Sequence, residues 1–142
     1  MILIAEDDDG HAALIERHLQ RSGSSGTYLR LKDGQEILDF LFQRGEGEMR
    51  IQNCSYILLL DINLPKVSGL EVLRQIKAHA ELRKIPVTVL STTDDPRDVE
   101  QCHALGCSHY ITKPTEPEVF MNVIARLGQL LDVVKVPHIQ EC

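Results

Sequence analysis

Basic residues are in short supply in this chain: 15 Lys and Arg face 21 Asp and Glu, for a formal net charge of −6. Binding to a phosphate backbone runs on Lys and Arg. The balance therefore excludes nucleic acid as an expected partner and suits a protein that binds cations or basic surfaces. No apolar run approaches the ~20 residues of a membrane span, so no membrane partner is expected. The N-terminus lacks a basic region, and its apolar run ends at Ala5, so no secretory signal is expected. The cysteines, Cys54, Cys102, Cys107 and Cys142, form no CxxC pair, and no histidine stands at zinc-finger spacing from them. Free thiols in a reducing, cytoplasmic compartment are the expectation. There is no internal repeat and no low-complexity tract.

What is present is a chain of 142 residues, 43% hydrophobic and 25% charged, enough for one domain with a core of its own. Short apolar runs alternate with amphipathic stretches. Strands are expected at Met1–Ala5, Thr27–Lys32, Tyr56–Leu60, Pro86–Leu90 and Ser108–Thr112. The first helix is expected over Ala12–Arg21, broken by Ser22-Gly23-Ser24-Ser25-Gly26. A second helix opens at Asp33, with Glu36 completing a capping box and Ile37, Leu38, Leu41 and Phe42 on its apolar face. Arg44–Ser55 reads as a long loop. Ser68 with Glu71 predicts a second capping box, Asp95 before Pro96 an N-cap, and Thr115 with Glu118 a third box opening a last helix to about Val134. Strict β-α alternation predicts an α/β fold, a doubly wound, five-stranded parallel sheet with helices on both faces, and the order expected for it is 2-1-3-4-5, one of the common doubly wound arrangements.

The chemistry sits at strand ends. Asp61 closes the run Tyr56-Ile57-Leu58-Leu59-Leu60, and the first strand ends in Glu6-Asp7-Asp8-Asp9. Open α/β sheets place ligands beyond the carboxyl ends of their strands, at the switch point between strands one and three. Asp7 and Asp61 should meet there, with Ser91 and Lys113 arriving from the other side. Carboxylates that close raise each other's pKa and call for a cation or a proton. Asp8 and Asp9 are expected to cap and stabilise the first helical turn instead.

Four motifs in this order, Ile4-Ala5-Glu6-Asp7-Asp8, Leu60-Asp61-Ile62-Asn63-Leu64-Pro65 with Gly69, Leu90-Ser91-Thr92 and Tyr110-Ile111-Thr112-Lys113-Pro114, span nearly the whole chain. This pattern resembles the receiver domain of bacterial two-component response regulators, which has a flavodoxin-like fold. The resemblance implies that Asp61 accepts a phosphoryl group from a sensor histidine kinase. It implies Mg²⁺, replaceable by Mn²⁺, held by Asp7, Asp61 and the Asn63 backbone carbonyl, with Glu6 acting mainly through water. Ser91 and Lys113 would contact phosphoryl oxygens, and Ser91 and Tyr110 would form a switch. It further implies a cis Lys113–Pro114 bond. The run from Asp61 to Leu73, the long loop before strand three and the closing Val-Val-Lys-Val-Pro are similar to a subgroup of stand-alone receivers that serve phytochrome-type photoreceptor kinases.

Receiver residues are expected over 1–134, with a C-terminal extension over 135–142. No DNA-binding or catalytic segment follows the last helix, so output to a downstream protein is expected through contact alone. Phe120, Val123, Leu127, Leu130 and Val134 are spaced three and four apart like a coiled-coil seam. They predict a homodimer through the last helix, joined by the extension. A phosphohydrolase with an aspartyl-phosphate nucleophile is the enzymatic rival, but Asn63 stands where such enzymes carry their second Asp. A flavodoxin-like cofactor binder would need a phosphate loop where this chain has carboxylates. A scaffold that is never phosphorylated would have no need for Asp7, Asp61, Ser91 and Lys113 together. The expected protein is a phosphoacceptor, not an enzyme acting on other substrates.

Overall fold

The computed structural model describes residues 1–22 and 26–140. Residues 23–25 of the expected break and Cys142 lie outside them. Five parallel strands, β1 (Ile2–Ala5), β2 (Tyr28–Leu31), β3 (Ile57–Asp61), β4 (Val87–Ser91) and β5 (His109–Thr112), form one sheet in the order β2-β1-β3-β4-β5. Helices α1 (Asp9–Arg21), α2 (Gly34–Phe42), α3 (Gly69–Ala78), α4 (Pro96–Leu105) and α5 (Pro117–Val133) follow the strands in turn, with a short 3-10 turn at Leu82–Lys84. The expected doubly wound topology is the one observed.

Because side chains alternate along a strand, β1 and β3 feed two cores. Leu3, Ala5, Leu58 and Leu60 pack against α2 and α3 through Ile37, Leu41, Leu73 and Ile76. Ile2, Ile4, Ile57 and Leu59 pack against α1 and α5 through Ile15, Leu19, Ile124 and Leu131. β1, β3 and β4 are buried along their whole length, whereas β5 at the sheet edge is not.

Caps set the helix starts. Asp8, Asp33 and Ser68 accept from the backbone N–H of His11, Glu36 and Glu71, so α1 begins three residues earlier than its apolar periodicity predicts. Neither expected box is reciprocal: Glu36 accepts from Lys32 N–H and Glu71 pairs with Arg74. The third box does not form at all. Glu116 is the N-cap residue of α5, without a side-chain cap bond, and Pro117 starts the helix because its fixed φ suits the first helical position. At the end of α4, Gly106 (φ 110°) is left-handed, and Cys107 N–H donates to Cys102 O at 3.1 Å, leaving both cysteines buried under a Schellman turn.

The heptad-like seam on α5 is divided by the packing. Phe120 and Leu127 belong to the core, while Val123 is half-buried and Leu130 and Val134 are exposed, beside exposed Val119 and Val133. The chain after α5 folds back on its own domain. Ile139 is fully buried and bridges Cys54 in antiparallel fashion: Asn53 N–H donates to Ile139 O and Ile139 N–H to Cys54 O, both at 2.9 Å. Ser55 Oγ adds a bond to Val136 O at 3.1 Å.

Candidate phosphoacceptor and metal site

Strand register carries the site residues to one edge. Ala5 pairs with Leu60, so Glu6 and Asp7 leave β1 beside Asp61, the last residue of β3. Asp61 pairs with Leu90, placing Ser91 one step further on β4, and Ser91 pairs with Thr112, placing Lys113 at the end of β5. Gly69 makes room for this edge. A Cβ there would sit 2.3 Å from Asp61 O and 2.6 Å from Ile62 Cα, so only glycine lets α3 start so close behind Asp61.

Glu6, Asp7 and Asp61 each bring a carboxylate oxygen within 4.8 Å of the others. Glu6 and Asp61 are buried and Asp7 is exposed. Lys113 reaches across β4: its Nζ donates to Glu6 Oε1 at 2.7 Å and to Asp61 Oδ2 at 2.9 Å. Burial pushes the Glu6 carboxyl up to about 7, with Lys113 opposing and Asp61 reinforcing the rise. Burial works against the Lys113 ammonium, but its bonds to Glu6 and Asp61 outweigh that and hold its pKa above the usual value. One buried cation thus serves two carboxylates, and among the described residues the third has none. Three converging carboxylates form an all-oxygen donor set that suits a hard divalent cation.

Asp61 Oδ1 accepts from Asn63 N–H at 2.9 Å. Ser91 is fully buried; its Oγ accepts from Thr93 N–H at 3.2 Å, and its hydroxyl also interacts with the Tyr110 hydroxyl. Tyr110 is half-buried, and its hydroxyl donates to Thr93 O at 2.8 Å. Ser91 and Tyr110 therefore hold the same residue and, with Asn63, Asp98 and Gln101, line a cavity of about 190 Å³. Asp8 caps α1, and Asp9 lies in its first turn, as expected.

The expected cis bond at Lys113–Pro114 is absent: there is no cis peptide among the described residues. With the bond trans, Lys113 N–H still donates to Ser91 O at 2.6 Å and the ammonium still reaches both carboxylates, so the turn does not demand the minority isomer. Two neighbours of the site escape sequence reasoning. His11 Nδ1 lies 3.7 Å from Glu6 Oε1, with its ring 6.0 Å from that of Phe120. Arg30 Nε donates to Glu6 O at 2.8 Å and its Nη1 to Asp9 Oδ1 at 2.7 Å. The signals are a histidine four residues after Asp7 and a lone Arg inside the apolar alternation of β2.

A five-stranded doubly wound sheet with converging acids at its switch point and a lysine from β5 defines a class, and family comparison agrees. The response regulator receiver domain model matches residues 2–125, so the chain belongs to that family. Among its relatives, a probable methanogenesis regulatory protein, FilR2 of Methanothrix harundinacea, is 40% identical over 91% of this chain and 81% of its own length. Response regulator Rcp1 of Synechocystis sp. is 37% identical over 96% of this chain and 92% of its own. The crystal structure of the Mn²⁺-bound form of Rcp1 superposes with a TM-score of 0.87 at 33% identity, covering 96% of this chain and 97% of that one. The phosphorylated cyanobacterial phytochrome response regulator RcpA superposes with a TM-score of 0.85 at 32% identity, covering 96% of each chain. The chain is thus similar to stand-alone phytochrome response regulators as well as to receivers of other systems.

Proposed function

We propose that this protein is a phosphoacceptor switch: Asp61 takes a phosphoryl group from a phosphohistidine of a sensor histidine kinase, and the phosphorylated form signals by protein contact. The observation that carries this reading is the meeting of the Glu6, Asp7 and Asp61 carboxylates within 4.8 Å, with Lys113 Nζ 2.9 Å from Asp61 Oδ2.

In the reaction an Asp61 carboxylate oxygen attacks phosphorus, a P–O bond forms, the P–N bond to the donor histidine breaks, and the bond's electron pair leaves with the imidazole. Phosphoryl transfer is governed mainly by positioning and charge stabilisation. Lys113, already beside Asp61, neutralises charge on a phosphoryl oxygen. Ser91 Oγ supplies a donor from the adjacent strand while Thr93 N–H keeps it oriented. Asp7, Asp61 and the Asn63 carbonyl would hold Mg²⁺ directly, or Mn²⁺ in its place, with Glu6 acting mainly through water. When bound, the ion offsets the repulsion between the carboxylates and the incoming phosphate. The protein so acts only on its own phosphorylation and dephosphorylation.

The new charge would draw on Ser91 and, through Thr93, release or recruit Tyr110, the bistable element. Output would run through Val123 and Leu130 on the outward face of α5 and Val134 just after it, toward a second copy of the chain or a downstream protein. Likeness to RcpA, a phytochrome response regulator, supports a phytochrome-type kinase as donor. The test is phosphotransfer from an autophosphorylated phytochrome-type kinase and from an unrelated one. Rapid transfer from the first, none to Asp61→Asn, and slow transfer from the second is the expected result. Equal or better transfer from the unrelated kinase would overturn the donor assignment.

A further inference from the structure

β2 is an edge strand whose side chains alternate between the two cores, and Arg30 breaks that alternation. It pairs in register with Ile4, a residue of the core beneath α1 and α5, so it stands where an apolar side chain would cover that core. Its side chain is 20% exposed, and Nη2 is buried with no partner among the described residues. A buried guanidinium nitrogen without an acceptor is unfavourable. The two hydrogen bonds the group does make span the β1–α1 connection, to the Glu6 carbonyl just after β1 and to the Asp9 carboxylate at the start of α1.

Those two residues flank Asp7. Glu6 is also held through its side chain by Lys113, and Asp8 is held as the cap of α1. Asp7 is the exposed member of the carboxylate trio, and among the described residues its side chain has no hydrogen-bond or ion-pair partner. Its direction is therefore set by the backbone on either side, where Glu6 N–H donates to Leu31 O and Asp8 N–H to the Glu6 carboxylate, and Arg30 ties the two flanks together through the Glu6 carbonyl and the Asp9 carboxylate. We infer that Arg30 is a positioning residue that aims Asp7 at the cation; this rests on the reading of Glu6, Asp7 and Asp61 as metal ligands. A guanidinium makes the carbonyl and carboxylate bonds together in fixed geometry, which an ammonium does not reproduce. Outer-shell partners of metal ligands typically matter by about 10–100-fold in affinity.

The test is calorimetric titration of Mn²⁺ into the unphosphorylated wild type and the variants Arg30→Gln, Arg30→Lys, Asp9→Asn and Asp7→Asn. Ile139→Ala, destabilised at the opposite end of the sheet, serves as a stability control. Each protein is also melted in chelator. Arg30→Gln and Arg30→Lys should each lose about 10-fold in affinity, Asp9→Asn less, and Ile139→Ala nothing. Wild-type affinity in Arg30→Gln while Asp7→Asn has lost binding would overturn the inference and leave the metal site standing. An equal loss in Ile139→Ala would also overturn it, by assigning the effect to general stability. A wild type that takes up no Mn²⁺ would instead remove the underlying reading of the carboxylates.

Discussion

Asp7→Asn should change the sign of its effect on stability with metal. Three carboxylate oxygens lie within 4.8 Å of one another, and only Glu6 and Asp61 share the Lys113 ammonium. At an effective dielectric of about 20, each like-charge pair at that separation costs about 3.5 kcal/mol. Asp7 is exposed, and solvent screening reduces its share to about 1 kcal/mol. Neutralising it should raise the melting temperature in chelator by roughly 3 °C. With a divalent cation at about 100 times its dissociation constant, the wild type gains about 2.7 kcal/mol. Asp7→Asn, short of a ligand, should gain little. Melting curves followed by circular dichroism, with EDTA and with Mg²⁺ or Mn²⁺, should therefore cross: the variant melts higher without metal and lower with it. A variant less stable in EDTA would refute the repulsion, and one that gains as much from metal as the wild type would refute the ligand role.

Gly69→Ala forces the Asp61–Ile62 backbone to move, because the added Cβ meets main-chain atoms; overpacking of this kind costs about 1–3 kcal/mol and should slow phosphorylation, as a denaturant melt and an acetyl phosphate time course would reveal. Ile139→Ala should lose about 2 kcal/mol, toward the low end for a buried Ile, since the tail can detach before the domain unfolds; its urea midpoint should fall while metal affinity stays put. Burial pushes the Cys102 thiol up to about 11 and Cys107 also upward, whereas Cys54 is half-buried. Iodoacetamide at pH 8 should therefore label Cys54 well before the other two, and peptide mapping that finds Cys102 labelled at the same rate would contradict the packing at the end of α4.

Much of the fold is legible in the sequence because β1, β3 and β4 are buried on both faces and so read as apolar runs, interrupted only by Thr88 in β4 and each ended by a polar residue. The same punctuation marks Asp61 and Ser91, whereas Lys113 follows a half-exposed strand and is marked by the Pro after it. Pairings between distant segments are less legible. Ile139 stands as a single apolar residue among polar ones, and nothing local announces that it will bridge Cys54. The spacing of Phe120, Val123, Leu127 and Leu130 fits a dimer seam and a core-facing stripe equally well. Only packing assigns Phe120 and Leu127 to the core beside α1. Thr115 and Glu118 satisfy a capping pattern, yet Pro117 decides the start of α5. Arg30 is hidden for a related reason: an Arg on an edge strand looks like a solvated residue until the loop it holds is seen.

The most direct measurement is intact mass after incubation with acetyl phosphate and Mg²⁺, on wild type and on Asp61→Asn. A gain of one phosphoryl group in the wild type, lost on chelation of the metal and absent from Asp61→Asn, is the expected result. A gain that persists in Asp61→Asn, or that does not depend on a divalent cation, would contradict the assignment of this acidic edge as a metal-assisted phosphoacceptor site.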